Sequence, residues 1–237
     1  MTTIVKNQPP STKIREKLKS EDRPVLVAMS LGKDAIATNL ALREAGIETH
    51  LAYMYNPPGD KGHTTLRFIE DTISDLEQAF NQKIHLYPHP SFYRMLNSFV
   101  YQPPERLAVI EAADFPNIDL PTFWEMIRAD LNLPEDTWVA DGVRAADSIV
   151  RRASFTRHGV MKPKDHKVSP IYDWLKSEVM DCIDRHRIKL PIDYQWFGRS
   201  FDGIDMRFLG PLREHSPKDY QTLLDWFPLA DLQFLHN

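Results

Sequence analysis

The stretch 25–46, "VLVAMSLGKDAIATNLALREAG", limits the fold more than any other part of the chain. Val25 to Met29 is apolar and too short for a helix, so it reads as a buried strand. Lys33 to Ala45 carries Ile36, Leu40 and Ala41 at helical spacing, and Gly46 marks the C-terminal stop. Only one glycine-containing turn, Ser30-Leu31-Gly32, separates the two. A buried strand turning straight into a helix is one half of a strand–helix–strand crossover.

The alternation continues. Glu48 to Tyr55 ("ETHLAYMY") reads as a second strand, broken by the loop "NPPGDKG". Thr65 to Phe80 places Leu66, Ile69, Ile73, Leu76 and Phe80 on one helical face. "KIHLYP" reads as a third strand, "DTWVADGVR" as a fourth, and "KVSPIYDWLKSEVMDCIDRHRI" as a short strand followed by an amphipathic helix. This order implies right-handed crossovers and an open, mainly parallel α/β sheet with helices on both faces. Residues 1–22 read as a flexible N-terminal arm with a short helix near Thr12 to Lys19. The nucleotide-binding domain is expected over 23–197, with a Pro-broken helical insertion over 90–135. The tail, 198–237, is expected to be irregular and to pack on that domain. At 237 residues such a domain buries roughly 70% of its unfolded surface and needs no staples.

Ligands of open parallel sheets sit beyond the carboxyl ends of the strands. Two glycine turns fall at such ends: Ser30-Leu31-Gly32-Lys33-Asp34 and Asp141-Gly142-Val143-Arg144. In the first, a glycine and a helix N-terminus favour an anion, Ser30 offers a hydroxyl, and Lys33 offers charge. It is not a Walker A loop: Val27 stands where the earlier glycine belongs, and Asp34 follows the lysine. In the second, the Arg144 guanidinium suits bidentate phosphate contact.

Charge sharpens the point. The whole chain carries a net charge of -4, which speaks against a nucleic-acid binder over its whole surface. Residues 144–167 nevertheless hold seven Lys/Arg (Arg144, Arg151, Arg152, Arg157, Lys162, Lys164, Lys167) against Asp147 and Asp165. This stretch reads as a solvated basic loop or as an anion-binding rim, and nucleic acid is one anion it could meet. The single cysteine, Cys182, allows no intramolecular disulfide and no Cys-ligated zinc or iron–sulfur site within one chain. It lies in a helix beside Val179 and Ile183 and reads as a buried thiol. His85 and His89 sit on a strand leading into a proline and share no helical face, so no metal site is expected there. No apolar run approaches the ~20 residues of a membrane span, and the polar N-terminus lacks a signal-peptide core. A soluble, cytoplasmic protein is expected, with no membrane partner.

The order S-x-G-K-D after the first strand, then "FIEDTISDLEQAFNQKIHLYP", "DGVRAADSIVRR" and "SPIYDWLKSEVMDCI", resembles the PP-loop adenine nucleotide α-hydrolase superfamily, whose fold is of the HUP/Rossmann-like kind. Within it the chain is similar to the phosphoadenylylsulfate (PAPS) reductase-like branch, over roughly residues 23–190. The tail looks like that of members common in phages and mobile elements. The resemblance implies a site for ATP or PAPS, with Mg²⁺ for ATP. Ser30, Gly32, Lys33 and Asp34 would line the phosphates. Gly142, Arg144, Arg151 and Arg152 would complete the clamp, and Tyr53 would flank adenine, with Tyr55 and Tyr87 as further aromatics that could stack on it. Lys33, Asp34 and Arg144 would act in α–β phosphate cleavage, passing AMP to an acceptor.

Three departures qualify this. Ala35 replaces a loop serine, Leu31 replaces a glycine, and the C-terminal catalytic cysteine of thiol-dependent PAPS reductases has no counterpart. The loss of that cysteine speaks against PAPS reduction, and one cysteine excludes the iron–sulfur version of the branch. Three functions follow as expectations. One is an ATP pyrophosphatase or adenylating transferase. Another is a non-catalytic nucleotide-binding module working with a ParB/sulfiredoxin-like protein. The third is a sulfonucleotide reductase with an unfamiliar thiol. The sequence leaves the oligomeric state open.

Overall fold

The computed structural model of the chain describes residues 5–236; residues 1–4 of the expected arm and Asn237 of the expected tail lie outside the described residues. The protein is α/β. Its six-stranded sheet comprises β1 (Val25–Ala28), β2 (Thr49–Tyr55), β3 (Ile84–Pro88), β4 (Val139–Ala140), β5 (Met161–Lys162) and β6 (Lys167–Val168), in the spatial order β3-β2-β1-β4-β6-β5. β1 pairs in parallel with β2 (Val25 opposite Thr49) and with β4 (Leu26 opposite Val139), and β4 in parallel with β6 (Val139 opposite Lys167). β5 runs antiparallel to β6. β1 is thus central, which explains why "VLVA" is apolar without alternation. The chain steps from β1 to β2 to β3 on one side and then to β4 on the other. The crevice between the carboxyl ends of β1 and β4 is the topological switch of the sheet.

The α-helices are α1 (Ser11–Ser20), α2 (Lys33–Glu44), α3 (Arg67–Phe80), α4 (Pro90–Asn97), α5 (Pro104–Ala113), α6 (Leu120–Asp130), α7 (Ile149–His158), α8 (Lys176–Arg185), α9 (Asp193–Phe197), α10 (Met206–His215) and α11 (Pro217–Trp226). α2 is buried from Ala35 through Leu42, on every face. Its alanines let neighbours approach closely, and its two buried polar residues are bonded: the Thr38 hydroxyl donates to the Asp34 carbonyl at 2.8 Å, and Asn39 Oδ1 accepts from the Thr49 hydroxyl at 2.8 Å. α1 buries Ile14 and Leu18, and its first N–H, from Ser11, is satisfied by the Asp173 carboxylate at 3.0 Å.

The chain divides into two compact units. The first comprises residues 5–53, 82–85 and 124–190. Its core includes Leu26, Ile36, Leu42, Leu51, Ile171, Tyr172 and Val179. The second comprises residues 54–81, 86–123 and 191–236. There Phe68 of α3 meets Trp196 of α9 at 5.3 Å between ring centroids, and Phe201 lies 5.2 Å from Phe208 of α10. Such aromatic pairs add about 0.5–1.5 kcal/mol each beyond the area they bury.

The expectation of an irregular tail is corrected. Residues 206–226 form two helices. Pro217 sits at the first turn of α11, where its missing N–H costs nothing. Pro211 lies inside α10 and removes one helical hydrogen bond. Burial of Phe208, Leu209 and Leu212 outweighs that loss. A further helix, α7, falls in the basic stretch that reads as a loop. Ser148 caps it by accepting the Arg151 N–H at 3.1 Å, and Phe155 is its buried residue.

Candidate functional site

The turn after β1 takes its shape from Leu31, not from its glycine. Leu31 has φ +60 and is 4% exposed. A left-handed leucine costs about 1–2 kcal/mol, and burial of its side chain offsets this by a similar amount. Gly32 is extended (φ -77, ψ 160) and stands at the N-cap of α2, with no side chain capping the helix. Ser30 is exposed at the mouth of the turn, and Lys33 and Asp34 are half-buried in the first turn of α2.

The second turn packs on the first. A Cβ placed on Gly142 would lie 2.7 Å from the Asp34 carbonyl carbon and 3.0 Å from the Ala35 nitrogen. Only a glycine lets the chain after β4 touch the backbone of α2 this closely. That contact brings Arg144 to Asp34. Arg144 Nε lies 2.9 Å from Asp34 Oδ1, and Lys33 Nζ lies 2.5 Å from Asp34 Oδ2. Arg144 Nη2 also donates to Asp147 Oδ1 at 2.6 Å, and the Arg144 backbone N–H donates to Asp147 Oδ2 at 3.0 Å. The Arg144 side chain is 6% exposed.

The Nε–H of Arg144 does not point at Asp34, although the two atoms are at ion-pair distance. Neither Arg144 Nε nor Asp34 Oδ1 has a hydrogen-bond partner among the described residues. Two buried polar atoms left so at a strand end mark a place where a further polar group can be accepted.

Beside them stands Asp141 at the end of β4. Its Oδ1 accepts the Ser169 hydroxyl at 2.6 Å and the Val143 N–H at 3.1 Å. Burial pushes its carboxyl above the usual range, and these hydrogen bonds offset part of that rise.

The structure therefore brings Lys33, Asp34, Gly142 and Arg144 together, with Ser30 at the same turn. Tyr53 is half-buried on β2, the strand beside β1. Arg151 and Arg152 are exposed on α7, and among the described residues neither side chain is bonded to the loop. The charge of Arg151 nonetheless acts on Asp141. Three polar residues of the site fall outside the sequence-based selection: Asp141, Asp147 and Ser169. A usable signal was present for two of them, since Asp141 and Ser169 directly follow apolar strand residues at carboxyl ends. Cys182 is buried on α8, and burial holds its thiol up at about 11, the opposite of a reactive thiolate. No helix among the described residues is long and apolar enough to cross a membrane.

No protein-family model and no curated protein matches the chain. Among solved structures it is similar to an NH3-dependent NAD synthetase from Campylobacter jejuni subsp. jejuni in complex with the nitrate ion (17% identity, 95% of this chain and 92% of that one, TM-score 0.41). It is also similar to an NMN synthetase from Francisella tularensis (13%, 94% and 93%, TM-score 0.45) and an NAD+ synthetase from Burkholderia pseudomallei (13%, 95% and 83%, TM-score 0.38). Likeness at these values says nothing of substrate or chemistry.

Proposed function

We propose that the protein binds an adenine nucleotide, ATP foremost, at the turn Ser30–Asp34 and cleaves it between the α- and β-phosphates to adenylate an acceptor. One observation carries this reading. At the switch point of the sheet, Lys33 and Arg144 converge on the same carboxylate, Asp34, beside a helix N-terminus and a glycine-only contact. Polyphosphate needs such a place: fixed cations, dipole-bearing N–H groups and little room for water. Ser30 and Gly32 would line the phosphates, Lys33 and Arg144 would neutralise them, and Tyr53 would flank the adenine. Asp34 Oδ1 and Arg144 Nε, an ion pair at 2.9 Å in which neither atom makes a hydrogen bond among the described residues, suit a magnesium–phosphate group. Asp34 would hold the magnesium, which supplies charge neutralisation at the phosphates. Arg151 and Arg152 would form the outer rim, toward the acceptor. The likeness of the tail to members common in phages and mobile elements, and a nucleic-acid or small-molecule acceptor, belong to the same proposal.

A second reading has its own support. Both cations are already paired with carboxylates, Asp34 and Asp147, and Ala35 lacks the hydroxyl of the resembled loop. A site neutralised from within suits a module that binds nucleotide without turnover and awaits a protein partner of the ParB/sulfiredoxin-like kind. PAPS reduction is disfavoured, because Cys182 is buried and its thiol is held protonated.

The test is calorimetry with Mg²⁺ and, separately, ATP, AMP and PAPS, with pyrophosphate release followed in the same samples. ATP binding with pyrophosphate release, lost in Lys33→Ala, is the expected result. Binding without release points to the second reading. No binding of any nucleotide overturns both.

A further inference from the structure

At the far end of α2 from the turn, Glu44, Cys182 and His186 converge where α2 packs on α8. One carboxylate oxygen, Sγ and one imidazole nitrogen all lie within 4.8 Å of one another. Glu44 Oε1 and His186 Nε2 are 2.8 Å apart. Cys182 and His186 stand at i and i+4, so they leave α8 on one face. Glu44 approaches from the other helix.

We propose that Glu44, Cys182 and His186 form a binding site for a zinc-class divalent transition metal ion. Thiolate, imidazole and carboxylate are the donor types zinc takes, and three protein ligands leave a fourth position for water. Tetrahedral bonds of about 2.0–2.3 Å place donor atoms roughly 3.5 Å apart, so the widest separation, within 4.8 Å, closes by about an ångström while the Glu44–His186 pair opens from 2.8 Å. The buried Cys182 is the fixed ligand. The Glu44 and His186 side chains, 38% and 37% exposed, supply both the freedom to close and the entrance from solvent. Thiolate and carboxylate together match a dication.

Arg185 donates to Glu44 Oε1 at 3.0 Å and becomes an outer partner of the bound carboxylate. Arg15 also faces the cluster, with its guanidinium donating to the Pro170 carbonyl at 2.6 Å. With two cations nearby, the ion binds less tightly than in a closed four-ligand site. The sequence expectation that one cysteine excludes a Cys-ligated zinc is revised on this reading. It holds for all-thiolate sets, and a mixed set needs only one thiolate. Asp34 and Glu44 are ten residues apart on α2, about 15 Å along the helix, so this site is separate from the nucleotide turn.

The full chain, stripped with chelator, is titrated with Co²⁺. One Co²⁺ per chain is expected, with a thiolate-to-cobalt charge-transfer band, intense visible bands of low coordination number, and displacement of both by Zn²⁺. His186→Ala, at an exposed position, should lower Co²⁺ affinity by about tenfold or more while nucleotide binding stays unchanged. Cys182→Ala should abolish the charge-transfer band. If Cys182→Ala does not fold, the wild-type spectrum and His186→Ala decide. Absence of the band in the wild type, or a band of unchanged affinity in both His186→Ala and Glu44→Gln, overturns the proposal.

Discussion

Arg144 reaches from the turn after β4 to Asp34 in the first turn of α2, with Nε and Oδ1 2.9 Å apart. The same guanidinium holds Asp147 through Nη2 at 2.6 Å. One buried cation thus ties together two turns that the sequence keeps far apart.

Loss of this side chain should be felt in stability as well as binding. Arg144→Ala leaves Asp147 without its cation and Asp34 with Lys33 alone. The carboxylates are 28% and 26% exposed, so a cost of about 2 kcal/mol is expected, below the roughly 3–5 kcal/mol of a fully buried pair. Arg144→Lys should recover little, because an ammonium cannot serve both partners in this fork geometry. Urea unfolding of both variants checks this. An alanine variant as stable as the wild type would show that the bridge contributes nothing, and a lysine variant as stable would show that the fork geometry does not matter.

Gly142 and Gly210 should respond differently to alanine. At Gly142 the new Cβ meets the backbone of Asp34 at 2.7 Å, and the first turn of α2 must move. A cost of about 1–3 kcal/mol is expected, with nucleotide affinity lost alongside. At Gly210, inside α10, a Cβ meets nothing within 4 Å. There the roughly 0.5–1 kcal/mol that alanine gains in a helix is offset by the clash of its Cβ with the ring of Pro211, which follows it, so a small net change is expected. Thermal unfolding of the two variants decides, and equal effects would refute the contact at Gly142.

Cys182 should resist alkylation in the metal-free native state. Burial holds its thiol up at about 11, against about 8.5 for an ordinary cysteine. Iodoacetamide labelling near neutral pH should be slower by roughly a hundredfold or more than in the unfolded chain. Comparable rates would mean that the thiol is open to solvent.

Asp193 should make the protein more stable in mild acid than at neutral pH. Its Oδ2 accepts the Phe201 N–H at 2.8 Å, while Oδ1 has no hydrogen-bond partner among the described residues, and burial raises its pKa above 3.8. The native state therefore holds this proton more tightly than the unfolded state. The contribution is complete below the ordinary carboxylate pKa and fades as pH rises through the raised one. Asp193→Asn removes the dependence, so its Tm advantage over the wild type should grow from mildly acidic to neutral pH. A difference constant with pH would contradict a raised carboxyl.

Strong local periodicity made much of the fold legible. β1 and α2 begin at the residues where apolar run and helical spacing begin, and α3 shows its stripe of Ile69, Ile73, Leu76 and Phe80 in the sequence itself. α7 was not legible, because one buried residue, Phe155, makes no stripe. β4 and β6, two residues each, lie inside the short strands read at "DTWVADGVR" and "KVS", whereas β5, also two residues, is too short to express a period. Pro211 concealed α10.

What the sequence determined by itself was the alternation of strands and helices, and the two turns bearing Lys33, Asp34 and Arg144. These depend on neighbours a few residues apart, which periodicity and turn chemistry report. Tertiary structure alone decided that β4 lies beside β1, that Gly142 touches the backbone of Asp34, and that Arg144 is held by Asp34 and Asp147. It also decided that Glu44 meets Cys182 and His186, and that Leu31 takes the left-handed conformation. Each of these arises from strand order and from helices packed across long stretches of chain, where the burial of one element outweighs the preference of another.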